Sequence, residues 1–288
     1  MNATALALIF VAAIAHASWN LFSKQASAAG SASFVWLMSA VATVAYLPVV
    51  AASVLASPPR LTALCWVFMA GTGVLQAGYF MFLQTGYRLG DLSLVYPIGR
   101  GTGALLAALA GITLLGERPG PAGVAGILFI VTGLIILGAP TPSAGQPITA
   151  KAITFALITG VFIAAYTLWD KYAVSTLKIP SLVQGYASLP VMALILAPFA
   201  LRGQGQTARV WLTYRRQVLG AAVLSPLAYM LVLTAMSFTA VSAVAPAREV
   251  SVLFGVLLGR RLLGEGSLGR RLGAAATIAA GIICIAVG

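Results

Sequence analysis

Three charged residues interrupt stretches of the chain that are otherwise apolar. Arg100 lies in a run of small residues between Gly99 and Gly103, and Arg248 and Glu249 stand side by side in a second apolar stretch. A guanidinium can hold a carboxylate through two parallel hydrogen bonds, and a carboxylate can hold an ammonium group. The three charged residues therefore offer the chemistry for recognising a small zwitterion.

Several motifs recur in the two halves of the chain at a nearly constant spacing. The recurring pairs are Ser93–Pro97 with Ser242–Pro246, Leu114–Glu117 with Leu262–Glu265, and Trp19–Asn20 with Trp169–Asp170. Counting 149 residues from Arg100 leads to Glu249, so the duplication relates a cation to an anion. Residues close to an internal two-fold axis approach one another, and we expect Arg100 and Glu249 to face each other or a shared cavity.

A set of polar and aromatic residues is duplicated as well. It consists of His16, Trp19 and Asn20 in one half and of Tyr166, Trp169 and Asp170 in the other. Tryptophan near the end of a span commonly lies at the membrane interface, but this set also suits a cavity wall that offers rings and hydrogen bonds. Both interpretations stay open, as does a solvated Asp170 beside Lys171. His16 is either a proton carrier or a hydrogen-bonded structural residue.

Other candidates for contact with a small molecule are Gln76, Tyr79, Tyr229 and Tyr96. A glutamine in hydrocarbon needs a hydrogen-bond partner, so Gln76 is expected to face the protein interior. Tyr96 shares one helix face with Arg100 by its spacing. The glycines beside Arg100 either loosen the helix there or form a packing face.

Two glutamates, Glu117 and Glu265, occupy equivalent positions in the repeated Leu-Leu-Gly-Glu motif. A carboxylate at such a position can accept hydrogen bonds from the first amides of the helix that follows it. We therefore expect both glutamates to be structural, as helix caps that lock a hairpin.

The composition places the chain in a membrane. Hydrophobic residues make up 60% of its 288 residues, charged residues 8%, and the mean hydropathy is +1.00. A soluble fold of this length would need a charged surface that this sequence lacks. The net charge of +12 sits mainly at the ends of apolar stretches, which indicates contact with anionic lipid rather than with nucleic acid.

Apolar stretches separated by helix-breaking residues predict an all-α membrane protein with ten spans of ~20 residues. They are Ala3–Phe22, Ser33–Leu55, Leu61–Leu83, Leu92–Leu115, Pro121–Gly138, Ala152–Trp169, Ser181–Leu201, Val218–Thr239, Val241–Leu258 and Leu268–Val287. Five spans in each half give two inverted repeats around a central cavity, residues 1–139 and 150–288, joined by a linker at 140–149.

Arg100, Arg248 and Glu249 then lie near the bilayer midplane. A charge costs at least ~2.5–3.5 kcal/mol there, so these residues should be paired or in contact with water. They form either an ion-pair lock between the two halves that does not contact the solute, or a pair that opens to bind a zwitterion.

The distribution of basic residues predicts the orientation. With the N-terminus inside, the cytoplasmic loops would hold four of them, namely Arg60, Arg118, Lys171 and Lys178. The opposite loops would hold eleven, namely Lys24, Arg88, Lys151, Arg202, Arg209, Arg215, Arg216, Arg260, Arg261, Arg270 and Arg271. Because positive loops face the cytoplasm, the count favours both termini outside.

The start His16-Ala-Ser-Trp19-Asn20, the Tyr-Pro turn of the fourth span and the two Leu-Leu-Gly-Glu hairpins resemble the EamA-type drug/metabolite transporters. The resemblance covers essentially the whole chain. It implies a ten-helix carrier that works by alternating access, and several members with this pattern export amino acids or related metabolites. In that family both termini more commonly lie in the cytoplasm, against the charge count.

We therefore expect a secondary transporter of a bacterial-type inner (plasma) membrane that exports zwitterionic metabolites, amino acids with apolar or aromatic side chains first. One alternative is a carrier of anionic or phosphorylated solutes, because arginines outnumber Glu249 at its depth. A weaker one is an intramembrane enzyme acting on lipid-linked phosphate. The sequence contains no phosphate loop and no His/Cys metal cluster, so no cofactor is expected. The expected partners are a small-molecule substrate and membrane lipid, with a monomer as the simplest unit.

Overall fold

The fold is all helical in the part of the chain that the structure, a computed structural model, describes. That part comprises residues 1–26, 31–89, 92–138, 150–202, 205–251, 254 and 268–287. Its helices are α1 (Ala3–Ala26), α2 (Ser31–Ala56), α3 (Ala63–Leu89), α4 (Leu92–Leu114), α5 (Pro121–Gly138), α6 (Ala150–Ser175), α7 (Ser181–Leu201), α8 (Gln206–Phe238), α9 (Val241–Ala247) and α10 (Leu268–Val287). The predicted fold class is confirmed.

Six of the described helices are long and apolar enough to cross a membrane: α1, α2, α3, α6, α7 and α8. Shorter apolar segments occupy Ile98–Leu114 in α4, Pro121–Ile136 in α5 and Ala276–Ile285 in α10. A helix satisfies its backbone groups internally, which is why hydropathy alone locates such segments.

Several helices extend beyond the predicted spans. α6 continues to Ser175, so Trp169 and Asp170 lie inside this helix and not near its end. α8 begins at Gln206 instead of Val218, and its backbone is kinked at Tyr214. Polar and basic residues in these extensions lower the local hydropathy, so the apolar pattern ends before the helix does.

The ninth span is not the single unbroken helix that the sequence predicts. α9 ends at Ala247, Arg248 and Glu249 form a turn, and helical backbone resumes at residue 250. Pro246 has no N–H to donate within the helix. The Glu249 N–H bonds to the Pro246 carbonyl at 2.9 Å, three residues back, which tightens the turn. The two charged residues therefore stand at a break in the helix.

The chain divides into two compact units. The first, unit 1, contains residues 1–10, 78–168 and 239–288. In its described part α5 and α10 approach closely, because a Cβ atom on Gly126 would stand 2.6 Å from the Gly281 carbonyl oxygen. Around this contact Ile130, Leu134 and Ile278 form a buried apolar core.

The second compact unit, unit 2, contains residues 11–77 and 169–238. Within it α2, α7 and α8 pack against one another. An apolar cluster that includes Cys65, Met69, Ala173 and Val183 is buried. Each unit also carries a cluster of buried polar side chains.

Candidate functional site

A buried carboxylate joins two guanidinium groups in unit 1. The Arg100 Nε–H donates to Glu249 Oε2 at 2.8 Å, and the Arg248 Nε–H donates to Glu249 Oε1 at 3.2 Å. Glu249 is fully buried, and Arg100 and Arg248 are 4% and 9% exposed. The pairing of Arg100 with Glu249 that the repeat predicts is confirmed. We call these three residues the charge cluster.

The residues of the charge cluster lie on two kinds of local backbone, a continuous helix and a turn. Arg100 lies on α4, which is continuous through this point, so the glycines beside it do not loosen the helix. They allow close packing instead. A Cβ on Gly99 would stand 3.2 Å from the Ala156 carbonyl, and a Cβ on Gly103 would overlap Ile163. Glu249, by contrast, projects from the turn after α9.

Arg248 has hydrogen-bonding capacity that the described residues do not use. Its Nη1 donates to Thr167 Oγ1 at 3.2 Å, and its guanidinium carbon lies 5.9 Å from the centre of the Tyr166 ring. Its Nη2 is buried without a hydrogen-bond partner among the described residues, and so is Ser251 Oγ, two residues after the turn. Buried polar atoms of this kind are rare in native structures, so each calls for an explanation, and a bound oxygen-bearing group or water is one. The arrangement suits a carboxylate or another oxyanion.

Aromatic rings adjoin the charge cluster in unit 1. Tyr79 is buried, and its ring meets Phe80 and Tyr166 edge to face, at 4.8 and 5.9 Å between centres. Because Tyr166 also lies against Arg248, the rings provide an apolar wall beside a cation. The backbone of Tyr96 lies on α4, but its side chain is outside the described residues.

A second buried carboxylate lies in unit 2. Asp170 is fully buried, which rules out the solvated alternative. Its Oδ1 accepts from Thr72 Oγ1 at 2.5 Å and from Gln184 Nε2 at 3.1 Å, and its Oδ2 accepts from the Tyr229 hydroxyl. Four helices, α3, α6, α7 and α8, thus supply this group, which we call the Asp170 cluster.

The tryptophans of the duplicated set are both tied to protein. Trp169 Nε1 donates to the Phe68 carbonyl at 2.8 Å, and the two rings stack 4.1 Å apart. Trp19 is 5% exposed, and its Nε1 donates to His16 Nδ1 at 3.1 Å. The Trp169 contact joins α6 to α3, whereas the Trp19 contact lies within α1. Trp169 stays partly exposed.

His16 and Asn20 are also engaged along α1. Asn20 Nδ2 donates to the His16 carbonyl at 2.8 Å. Because His16 Nδ1 accepts from Trp19, a neutral His16 ring carries its proton on Nε2. These contacts agree with a structural His16. Gln76 is partly buried on α3.

Glu117 caps a helix, but not the one that the sequence predicts. Its Oε1 accepts from the Val241 N–H at 2.7 Å, and its Oε2 from the Ser242 N–H at 2.8 Å. The carboxylate therefore caps the start of α9, and not the start of α5, the helix that follows Glu117 in the sequence. The predicted chemistry is right and the predicted partner is wrong. Glu265 lies outside the described residues.

The two halves of the sequence each match one family model. The model of the EamA-like transporter family matches residues 3–139 and again residues 150–287. The chain belongs to the EamA-like transporter family. A solved structure described only as "Crystal structure of protein" has the same fold, with a TM-score of 0.76 and 18% identity, covering 100% of this chain and 98% of that one. None of the curated proteins compared with the chain matches it.

Membership makes this EamA-like protein a membrane transporter of small solutes. Within that family assignment, four functional candidates were missed from the sequence: Thr72, Thr167, Gln184 and Ser251. Their signal was a hydroxyl or amide inside an apolar span, which is costly unless it is hydrogen-bonded. Hydroxyls in helices commonly bond to their own backbone, so sequence alone does not single out these four residues.

No three His, Cys, Asp or Glu side chains lie together as a metal site within the described ranges.

Proposed function

We propose that this transporter exports small zwitterionic metabolites, amino acids with apolar or aromatic side chains first. It would act as a secondary carrier of an inner (plasma) membrane and work by alternating access. The observation that carries the proposal is the charge cluster, in which Glu249 is bonded to Arg100 and Arg248 while the buried Nη2 group of Arg248 has no hydrogen-bond partner among the described residues.

The chemistry of a zwitterion fits the cluster group by group. The solute carboxylate would bind Arg248 through Nη2, with Ser251 Oγ as a second donor. The solute ammonium would take over part of the Glu249 carboxylate, which then loosens its bond to one arginine. Tyr79 and Tyr166 would contact an apolar or aromatic side chain. Binding and loosening of the ion pair are thereby linked.

Transport by purified protein in liposomes tests this proposal. Vesicles are loaded with a panel of labelled amino acids, and their efflux is compared with efflux from protein-free vesicles. Losing a hydrogen bond to a charged group costs about 1.5–3 kcal/mol, so Arg248→Gln should weaken half-saturation by roughly 10- to 150-fold. Arg209→Gln, at an exposed arginine of α8, is the matched control and should behave as wild type.

The same assay separates the second candidate, a carrier of anionic or phosphorylated solutes. Two guanidinium groups against one carboxylate give the cluster a net positive charge, which favours an anion. Under this alternative sugar phosphates compete for transport and amino acids do not. If no amino acid leaves the vesicles above background and sugar phosphates do, the amino-acid assignment is abandoned.

A further inference from the structure

The Asp170 cluster is a buried acid that the proposed zwitterion site does not use. We propose that Asp170 binds and releases a proton, and that this proton couples solute export to the proton gradient. The inference rests on the chain being a secondary transporter, as proposed above. It concerns residues of unit 2 only: Asp170, Thr72, Gln184, Tyr229 and the Phe68 carbonyl.

The hydrogen bonds of Thr72 suit both charge states of Asp170. Thr72 Oγ1 lies 2.5 Å from Asp170 Oδ1 and 3.1 Å from the Phe68 carbonyl. When Asp170 is ionised, the Thr72 hydroxyl donates to Oδ1. When Asp170 is protonated, Oδ1–H donates to Thr72 Oγ1, and the Thr72 hydroxyl turns to donate to Phe68. One hydroxyl rotation therefore satisfies either state, because a hydroxyl donates once and accepts twice.

Gln184 adds a second acceptor to the cluster. Its Nε2 donates to Thr72 Oγ1 at 2.8 Å and to Asp170 Oδ1 at 3.1 Å. Its Oε1 is buried and has no hydrogen-bond partner in the described part of the chain. A buried amide oxygen with unused acceptor capacity is costly. A half-turn of the amide brings Oε1 to the carboxyl group, where it can accept from protonated Asp170.

The described hydrogen bonds to Asp170 come from three other helices. α8 contributes the Tyr229 hydroxyl, whereas α3 and α7 contribute the neutral side chains of Thr72 and Gln184. Next along α6, Lys171 Nζ donates to the Met236 carbonyl at 2.9 Å. Tyr229 and Lys171 are titratable, and each acts as a donor in these contacts.

The proposed step balances with a proton alone. The Asp170 carboxylate takes one H⁺ from water on one side of the membrane and becomes a carboxylic acid. It returns that proton to water on the other side after the solute has left. No bond other than O–H forms or breaks, and no other reactant is needed. A buried ionisable residue in a span is costly to keep, which is consistent with such a task.

Infrared difference spectroscopy on the purified full-length protein tests proton binding without any solute. The chain has only five acidic residues, so a carboxylic-acid C=O band that appears on acidification can be assigned by substitution. The band should be lost in Asp170→Asn and kept in Glu117→Gln. A band that survives in Asp170→Asn overturns the proposal.

Coupling is tested in proteoliposomes that hold the labelled amino-acid mixture. The readout is the ratio of efflux with an imposed pH gradient to efflux without one. This ratio should exceed unity for wild type and fall to unity for Asp170→Asn. Thr72→Val, which removes the hydroxyl, should lower it, and Thr72→Ser should preserve it.

The two assays keep the two proposals apart. If wild type moves amino acids but responds to a sodium gradient and not to a pH gradient, proton coupling is wrong while the transport proposal stands. If wild type moves no amino acid, the transport proposal fails, and the infrared band still decides whether Asp170 takes up a proton. A folded Thr72→Val protein whose efflux ratio with and without the pH gradient equals that of wild type also contradicts the role assigned to the Thr72 hydroxyl.

Discussion

Arg100 and Glu249 lie 149 residues apart in the sequence and are joined by a hydrogen bond of 2.8 Å between Nε and Oε2. The other oxygen of Glu249 accepts from Arg248. One carboxylate is therefore shared by two buried guanidinium groups, and the three residues together carry a net positive charge. A buried charge that loses its partner destabilises a fold far more than an exposed one does. The three residues should thus respond unequally to substitution.

We predict that Glu249→Gln destabilises the protein more than Arg100→Gln. Removing the carboxylate leaves Arg100 and Arg248 without the charge that they share, at a cost of about 3–5 kcal/mol. Removing Arg100 leaves Glu249 still bonded to Arg248. The check is the midpoint of thermal unfolding of each purified variant in detergent. An Arg100→Gln protein that unfolds at the same temperature as Glu249→Gln, or lower, contradicts the shared-carboxylate arrangement.

The capping of α9 by Glu117 makes a second prediction. Glu117→Ala removes both acceptors from the Val241 and Ser242 amides, so it should lower stability by about 0.5–2 kcal/mol. Gly111→Ala should disturb the same contact, because its Cβ would stand 2.6 Å from both Glu117 Oε2 and Val241 Cγ1.

A double-mutant cycle on thermal stability checks this prediction. If Gly111→Ala works by displacing Glu117, the double variant loses less than the sum of the single losses. Strict additivity of the two substitutions would mean that Gly111 and Glu117 act independently.

The close approach of α5 and α10 predicts different effects for two glycines of one helix. A Cβ on Gly281 would stand 2.7 Å from the Gly126 carbonyl, so Gly281→Ala should cost about 1–3 kcal/mol through overpacking. A Cβ on Gly273 meets nothing within 4 Å. Gly273→Ala should therefore be neutral, or stabilising by about 0.5–1 kcal/mol through helix propensity. The midpoint of thermal unfolding of each variant is the measurement. Equal changes in stability for Gly281→Ala and Gly273→Ala would contradict the packing described for α5 and α10.

The basic residues predict that both termini lie outside the cytoplasm. A carboxy-terminal alkaline phosphatase fusion should then be active, because this enzyme works only outside the cytoplasm, and a cytoplasmic reporter in its place should be silent. The control is the same pair of reporters fused after residue 202, between α7 and α8 on the opposite side of the membrane, where the activities should reverse. An active cytoplasmic reporter at the carboxy terminus would show that the positive-inside count fails for this chain.

Some contacts of the predicted residues could be foreseen from the sequence and others could not, and the difference has a physical reason. The pairing of Arg100 with Glu249 was predictable because duplicated elements carry a fixed register, and a buried charge needs an opposite charge. The partner of Glu117 was not, because several amide groups at helix starts would satisfy the same carboxylate. The break at Arg248 was also missed, since Pro246 permits either a kinked or a terminated helix.

The sequence by itself determined that this chain is a helical membrane protein of two repeats. Lipid requires long apolar helices that satisfy their own backbone, and such helices are local features of the sequence. Only the tertiary structure decided that Asp170 is buried among Thr72, Gln184 and Tyr229. Those partners come from three other helices, α3, α7 and α8, and any hydroxyl or amide at the right depth could have filled the same role. Contacts of that kind are fixed by packing, which no local pattern records.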